Sequence, residues 1–209
     1  MTQLDRDLVV WVVEHRWEPA DWFFVAVTAV AQAGLVWIAL AALLAYTAGR
    51  PVLVTTAIAA ATVWTADLIA VGLKYAVDRD RPYLVLDEAS PLLRWDVSTS
   101  FPSGHAATAA AGATILAYLF RRWAVPLVVL AAAVCYSRVY IGVHYPSDLL
   151  VGAAIGTAVA LVAVWLVRRL RPTSAGPRRS GRARPGGSAR SRGPGRRRAR
   201  SAPGRRRAG

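Results

Sequence analysis

Apolar residues in this chain occur in long blocks, without the three- and four-residue spacing of an amphipathic helix in a soluble protein. The blocks that are long enough to cross a bilayer cover residues 22–46, 52–73, 105–120, 123–140 and 149–167. Helices of roughly 17 to 25 residues span ~30 Å of hydrocarbon. The pattern therefore predicts an all-α, polytopic membrane protein with about five transmembrane helices.

The first 21 residues form a different kind of segment. The apolar stretch 8–13 is flanked by acidic residues and is too short to span a bilayer. We expect an N-terminal interfacial helix here, with Trp17 and Trp22 at the level of the lipid headgroups, and a sixth, imperfect span is the alternative. The segment has neither the basic start nor the small-residue cleavage site of a secretory signal.

Composition supports the membrane interpretation and locates the charge. The chain is 55% hydrophobic, and its net charge is +14. Residues 1–148 carry 10 basic and 12 acidic side chains, whereas residues 149–209 carry 16 arginines and no acid. We expect residues 172–209 to be a disordered Arg-rich tail, because Gly, Pro, Ser and like charges cannot form a core. The tail is interpreted first as a topology anchor and next as an anionic-lipid contact, while nucleic-acid binding is disfavoured because aromatic residues are absent from it.

The arginines also predict an orientation. Arg50, Arg121, Arg122 and Arg168 fall on one side of the membrane if the five spans alternate, which places the tail in the cytoplasm. The predicted organisation is an N-terminal segment over 1–21, a transmembrane domain over 22–171 and the tail over 172–209. The single cysteine, Cys135, excludes an intramolecular disulfide and a cysteine metal cluster.

Three polar segments lie at span ends on the other, extracytoplasmic side. They are KYAVDRDRP at 74–82, PSGH at 102–105 and SRVYIGVHYPSD at 137–148. In the first segment Lys74 and Arg81 can approach one phosphoryl group, Arg81 through its planar fork. Taken alone, this segment is equally well explained by a lysine that snorkels to the interface and a basic loop.

The histidines of the other two segments are the candidate proton donor and the candidate nucleophile. Ser103 and Gly104 open a helix whose N–H groups can donate to phosphate oxygens, and His105 in its first turn can protonate a leaving oxygen. In the third segment His144 is the candidate nucleophile. Asp148, four residues later, can fix the imidazole tautomer or simply cap the next helix, and the two roles are compatible.

Together the three segments resemble the signature of the phosphatidic acid phosphatase type 2 superfamily: Lys, six residues, Arg-Pro; then Pro-Ser-Gly-His; then Ser-Arg, five residues, His, three residues, Asp. The resemblance covers about 52–167. It implies a helical core, a phosphohistidine on His144 and a proton from His105, with Asp148 as the partner of His144. It also implies that no metal or cofactor is needed. The residues implied to surround the phosphate are Lys74, Arg81, Ser103, Gly104 and Arg138.

The apolar spans favour the integral-membrane branch of that family, whose substrates are lipid phosphates. The resemblance points to hydrolysis of undecaprenyl diphosphate to undecaprenyl phosphate at a bacterial plasma membrane. Phosphatidylglycerophosphate and phosphatidate are the alternatives. A non-catalytic membrane scaffold with a basic tail is the rival from another functional class. Oligomeric state is left open by the sequence.

Three further expectations concern Asp67, selectivity and pH. Asp67, seven residues before Lys74 on a similar helix face, is expected to face the bundle and to support the site. The loop 83–101 is expected to set headgroup selectivity, with Leu92, Leu93 and Trp95 either in the interface or anchoring the loop. Hydrolysis requires neutral His144 and protonated His105, which predicts a bell-shaped pH–rate profile.

Overall fold

A computed structural model describes residues 2–94 and 99–170 of the chain. The predicted tail and Trp95 lie outside these residues. The described part is helical and contains no strand, which confirms the all-α class. Its helices are α1 Gln3–Glu14, α2 Glu18–Val30, α3 Leu35–Thr47, α4 Val52–Val77, α5 Pro82–Val85, α6 Gly104–Leu119, α7 Ala124–Tyr140 and α8 Pro146–Leu170. Short 3₁₀ turns at Gln32–Gly34 and Arg121–Trp123 precede α3 and α7.

Fewer helices meet the length of a membrane span than the sequence predicted. In the described residues, three segments are long and apolar enough, namely those that contain α4, α7 and α8. The α2–α3 pair, bent by 51°, is a fourth if it is one broken span. Helix α6 has 16 residues, or about 24 Å at 1.5 Å per residue, which is short of the hydrocarbon thickness. Of the five predicted blocks, three or four thus give helices that meet the length and hydropathy of a span, within the residues that the structure describes.

The first predicted block is divided because its backbone leaves the helical conformation in the middle. Ala33 and Gly34 have φ values of 52° and 71°, a left-handed region that glycine adopts readily and alanine does not. Gly34 also lies so close to Val63 that a Cβ would overlap its side chain. The break places Gln32 and Ala33, both exposed, on the wall of a cavity.

Helix α6 lies at the centre of the bundle and packs on α4, α7 and α8. Gly152 and Gly156 of α8 face it, and a Cβ at either position would overlap the main-chain oxygen of Ser103 or Ala107. Such backbone approach is what small residues permit in membrane helices. The contact sets the start of α8 against the start of α6, where the polar segments lie.

The N-terminal segment is a helix, as expected, but it is tied to the bundle. Helix α1 has 12 residues, about 18 Å, so it is too short for the alternative of a sixth span. Its buried Val9 and Val13 pack with Tyr145 and Leu149. Trp17 and Trp22 are exposed. Helix α1 therefore covers the end of the bundle where α8 begins.

Candidate active site

The three polar segments meet at this end of the bundle, around a cavity of about 290 Å³. Six of the eight residues predicted for the site line it. They are Lys74, Arg81, Gly104, His105, Arg138 and His144. Ser103 and Asp148 are fully buried behind the wall. The cavity also has a wall that the three segments do not provide, made by Gln32, Asp67 and Thr108 among others.

Three cations that line the cavity are held by main-chain or side-chain oxygens. Lys74, in the last turn of α4, donates from Nζ to the Thr99 carbonyl at 2.5 Å. Arg81 donates to the Val143 carbonyl at 3.2 Å. Arg138, in the last turn of α7, donates to the Thr28 hydroxyl at 3.2 Å. Since both guanidinium groups are buried, their positions are fixed before an anion enters.

His144 lies in the connection between α7 and α8, and Asp148 lies in the first turn of α8. The Nδ1 atom of His144 is 3.3 Å from Asp148 Oδ2. That carboxylate oxygen also accepts from the Tyr145 N–H at 2.9 Å and from the Ser100 hydroxyl at 2.5 Å. A carboxylate at this distance favours the tautomer with a proton on Nδ1, which leaves Nε2 as the basic nitrogen of the ring. Burial lowers the pKa of His144 to about 3, although the hydrogen bond to Asp148 opposes the shift.

His105 lies in the first turn of α6. Ser103 is the N-cap of this helix, and its hydroxyl accepts from the Ala106 N–H at 3.4 Å. The helix start predicted from PSGH is therefore present. Ser103 itself differs from the expectation, because its N–H donates to the Asp148 carbonyl at 3.1 Å and not into the cavity. Ser103 joins α6 to α8, and Gly104 and His105 form the cavity wall.

Asp148 has a further partner that sequence reasoning missed. Arg79, two residues before Arg81, donates from Nη1 to Asp148 Oδ1 at 2.7 Å and to the Ser147 hydroxyl at 2.8 Å. Its guanidinium also lies 4.1 Å from the centre of the Tyr145 ring. Both oxygens of the Asp148 carboxylate are thus held. The only signal in the sequence is an arginine among the six residues between Lys74 and Arg81.

Arg79 is held in turn by the N-terminal helix. Its Nη2 atom donates to Asp5 Oδ2 at 3.0 Å. Asp5 also accepts from the N–H of Ser147 at 3.0 Å and from its hydroxyl at 2.7 Å. Burial acts to raise the pKa of Asp5, but the hydrogen bonds from Ser147 and Arg79 outweigh it and hold this pKa below its usual value. A charged carboxylate of α1 therefore connects to the catalytic candidate His144 through Arg79 and Asp148.

Asp67 lies on the cavity wall, as expected, and not on the lipid face. A Cβ added at Gly104 would meet its Oδ1 atom at 2.9 Å. The carboxylate is therefore next to the start of α6. With Gln32 from the break between α2 and α3, it gives the cavity hydrogen-bonding groups that the three polar segments do not provide.

The loop 83–101 begins with α5 and is anchored to the bundle. Leu92 donates its N–H to the Ile141 carbonyl at 3.2 Å and packs on the cluster around Tyr140 and Val143. Of the two roles considered for Leu92, the structure shows the anchoring one. Within residues 2–94 and 99–170, His, Cys, Asp and Glu side chains form no group of three or more that could hold a metal ion. Metal independence of the reaction stays a prediction.

Comparisons with known proteins agree with this arrangement. The family described as the PAP2 superfamily matches residues 52–172. The decaprenylphosphoryl-5-phosphoribose phosphatase of Mycobacterium tuberculosis (strain ATCC 25618 / H37Rv) is 38% identical over 110 residues, covering 50% of this chain and 57% of the relative. An undecaprenyl-diphosphatase of Sulfolobus acidocaldarius is 34% identical over 92 residues, covering 44% of this chain and 45% of the relative. The chain spans about half the length of the curated relatives it matches.

A solved structure extends the likeness to most of the fold. The transmembrane PAP2 type phosphatidylglycerolphosphate phosphatase from Bacillus subtilis superposes with a TM-score of 0.70 at 22% identity, covering 81% of this chain and 87% of that one. At this identity the likeness concerns the fold alone. The family match covers more than half of the chain and all three polar segments. The chain is an integral membrane protein and belongs to the PAP2 superfamily.

Proposed function

We propose that this protein hydrolyses the phosphate ester or anhydride of a membrane lipid through a phosphohistidine on His144. The observation that carries the proposal is the meeting of Lys74, Arg81, Arg138 and both histidines around one cavity. Three cations match the charge of a phosphoryl group, and phosphoryl transfer depends mainly on such positioning and charge stabilisation. The cavity lies at the end of membrane-spanning helices, where a lipid headgroup is found.

In the first step the Nε2 lone pair of His144 attacks phosphorus, and the bond from phosphorus to the lipid oxygen breaks. His105 gives its proton to the leaving oxygen, so the lipid alcohol, or the lipid monophosphate of a diphosphate, leaves protonated. The negative charge of a bound phosphate favours the protonated form of His105. Asp148 accepts from Nδ1–H and stabilises the positive charge on the phosphorylated ring.

In the second step water attacks the phosphohistidine and His105 takes its proton. The bond between nitrogen and phosphorus breaks, inorganic phosphate leaves, and both histidines return to their starting states. Lys74, Arg81 and Arg138 neutralise the phosphoryl oxygens in both steps, which is the charge stabilisation a metal ion would otherwise supply. The reaction is accordingly proposed to need no metal.

Among lipid phosphates, undecaprenyl diphosphate is the first substrate that we propose. One similar protein is named an undecaprenyl-diphosphatase, and three cations suit the high charge of a diphosphate. The site would face the extracytoplasmic side of a bacterial plasma membrane, and the Arg-rich tail, residues 172–209, would lie in the cytoplasm.

A phosphomonoester with a hydroxyl group beside the phosphate is the second candidate, and Asp67 favours it. A carboxylate on the cavity wall accepts a hydrogen bond from a hydroxyl but repels a second phosphate. Phosphatidylglycerophosphate offers such a hydroxyl on its terminal glycerol, whereas phosphatidate does not. Similar proteins include one named phosphatidylglycerophosphatase B and one named lipid A 1-phosphatase.

Phosphate release by purified protein in excess EDTA tests these proposals. We expect release from at least one of undecaprenyl diphosphate, phosphatidylglycerophosphate and phosphatidate, and its loss in His144→Ala. Tail deletion beyond residue 171 is expected to leave turnover intact. A protein that needs its tail for function while His144→Ala is harmless would instead be a membrane scaffold.

A further inference from the structure

A second cavity lies at the end of the bundle opposite the active site. Its volume is about 580 Å³, and Arg50, Arg121 and Arg122 are among the residues that line it. The turn between α3 and α4 forms one side, and the end of α6 with the following 3₁₀ turn forms the other. Arg50 joins the two sides, because its Nη1 atom donates to the Leu119 carbonyl at 2.8 Å.

An apolar groove of about 700 Å³ continues from this cavity between α4 and α8. Its walls include Ile58 and Ala61 of α4 and Ala163 and Leu166 of α8. Arg50 and Leu119 line both the cavity and the groove, so the two spaces adjoin. A single molecule with a polar head and an apolar chain can occupy both.

The charge of this end is positive and is not balanced by acidic side chains. The sequence contains no Asp or Glu in residues 22–66, 99–147 or 149–170, from which this end is built. The arginines lie against aromatic rings. Their guanidinium carbons are 5.0 Å from the centre of the Phe120 ring for Arg50, 5.9 Å from Trp123 for Arg122, and 5.0 Å from Tyr118 for Arg168. Stacking on a ring leaves the N–H groups at the edge of a guanidinium able to donate to phosphate oxygens.

We propose that this cavity and groove bind one anionic phospholipid. Its headgroup phosphate lies among Arg50, Arg121 and Arg122, and an acyl chain lies in the groove between α4 and α8. Basic pockets between membrane helices recognise anionic headgroups in this way, and bidentate contacts from arginine are the strong ones. The charge complementarity selects an anionic lipid over a neutral one. This site is separate from the active site and does not depend on the proposed hydrolysis.

The bound lipid joins parts of the chain that are distant in sequence. Its headgroup contacts the α3–α4 turn and the α6–α7 connection, and its chain contacts α4 and α8. A ligand that binds only the folded protein raises the free energy of unfolding by RT ln(1 + [L]/Kd). Phosphatidylglycerol is therefore expected to raise the unfolding temperature, and phosphatidylcholine is expected to do so much less.

The test measures binding of dioleoylphosphatidylglycerol and dioleoylphosphatidylcholine to the full chain in detergent, by native mass spectrometry and thermal unfolding. We expect phosphatidylglycerol to bind about tenfold more tightly, a difference of about 1.4 kcal/mol. The variant Arg50→Gln with Arg121→Gln should lose this preference. Arg169→Gln is the matched control, because Arg169 stacks on Trp165 at the same end but lines neither the cavity nor the groove.

A second variant tests the groove. Ala61 is exposed on α4, so Ala61→Trp fills the groove without disturbing the helix core, and it should weaken phosphatidylglycerol binding with all arginines intact. Equal binding of the two lipids would overturn the proposal. An equal loss of the phosphatidylglycerol preference in Arg169→Gln would also overturn it, because it would indicate a general attraction of the lipid to positive charge. Undiminished binding in Ala61→Trp, or full competition by glycerol phosphate, would show a headgroup site without a bound chain and would also overturn it.

Discussion

Arg79 should control the rate of the reaction without touching the substrate. It does not line the cavity, but its Nη1 atom holds Asp148 Oδ1 at 2.7 Å while its Nη2 atom holds Asp5 at 3.0 Å. In Arg79→Gln the buried Asp148 carboxylate loses its charged partner on one oxygen. It keeps the hydrogen bonds of the other oxygen to Ser100 and Tyr145. We therefore expect misorientation of His144 and not unfolding.

The size of the effect follows from one charged hydrogen bond. A hydrogen bond to a charged group contributes about 1.5–3 kcal/mol to the stability of the arrangement it holds. Each 1.4 kcal/mol added to the activation free energy lowers the rate about tenfold. We expect Arg79→Gln to lower kcat by about 10–100-fold, with KM changed by less than about threefold, because the phosphate contacts are intact. Arg79→Lys should recover part of the rate, since one ammonium group replaces one of the two charged contacts.

The assay is phosphate release from mixed micelles, with kcat and KM determined separately and folding checked by thermal unfolding. Asp5→Asn should show a smaller loss of kcat, because the amide oxygen still accepts from Ser147 while the charge that holds Arg79 is gone. Asp7→Asn is the control, since Asp7 is exposed on the same helix and bonds only to Gln3 among the described residues. A folded Arg79→Gln protein with unchanged kcat would contradict the positioning role. So would a protein whose entire loss of kcat/KM comes from a higher KM.

Three further outcomes are expected. Because burial lowers the pKa of His144 to about 3, its neutral form persists in acid, and the acid limb of kcat/KM should lie below about pH 5; a limb near pH 6.5, corrected for titration of the substrate phosphate, would contradict this. Asp67→Asn should raise turnover of undecaprenyl diphosphate relative to phosphatidylglycerophosphate, and an unchanged ratio of kcat/KM would remove Asp67 from selectivity. Gly156→Ala should destabilise by about 1–3 kcal/mol through overpacking against α6, whereas Gly72→Ala, which meets no atom within 4 Å, should be neutral or slightly stabilising.

Much of the fold followed from the sequence because the bilayer imposes its length on apolar blocks. The helices at the predicted positions of α4, α7 and α8 are long enough to span it. The ends of these helices carry the polar segments, so their meeting could also be expected. The four-residue spacing from His144, just before α8, to Asp148, in its first turn, brought the two groups together, and they lie 3.3 Å apart.

The features that were missed depend on contacts distant in sequence. The break at Gln32–Gly34 interrupts an otherwise apolar block, and it requires a glycine where position 34 approaches Val63 of α4. The polar Gln32 and the glycine at position 34 were its local signals. Asp5 and Arg79 are 74 residues apart, and no periodicity connects them. Ser103 was assigned by its position at a helix start, and only the packing of α6 on α8 shows that its N–H is taken by Asp148.

The central claim is that phosphate is transferred to His144. The most direct measurement is to mix the protein with lipid substrate labelled with ³²P at the terminal phosphate, quench in alkali within the first turnover, and map the label by mass spectrometry. The account predicts a label on His144 that is stable to alkali and lost in acid, and that is absent from His144→Ala. Turnover without any label on His144, or a label that persists in His144→Ala, would contradict it.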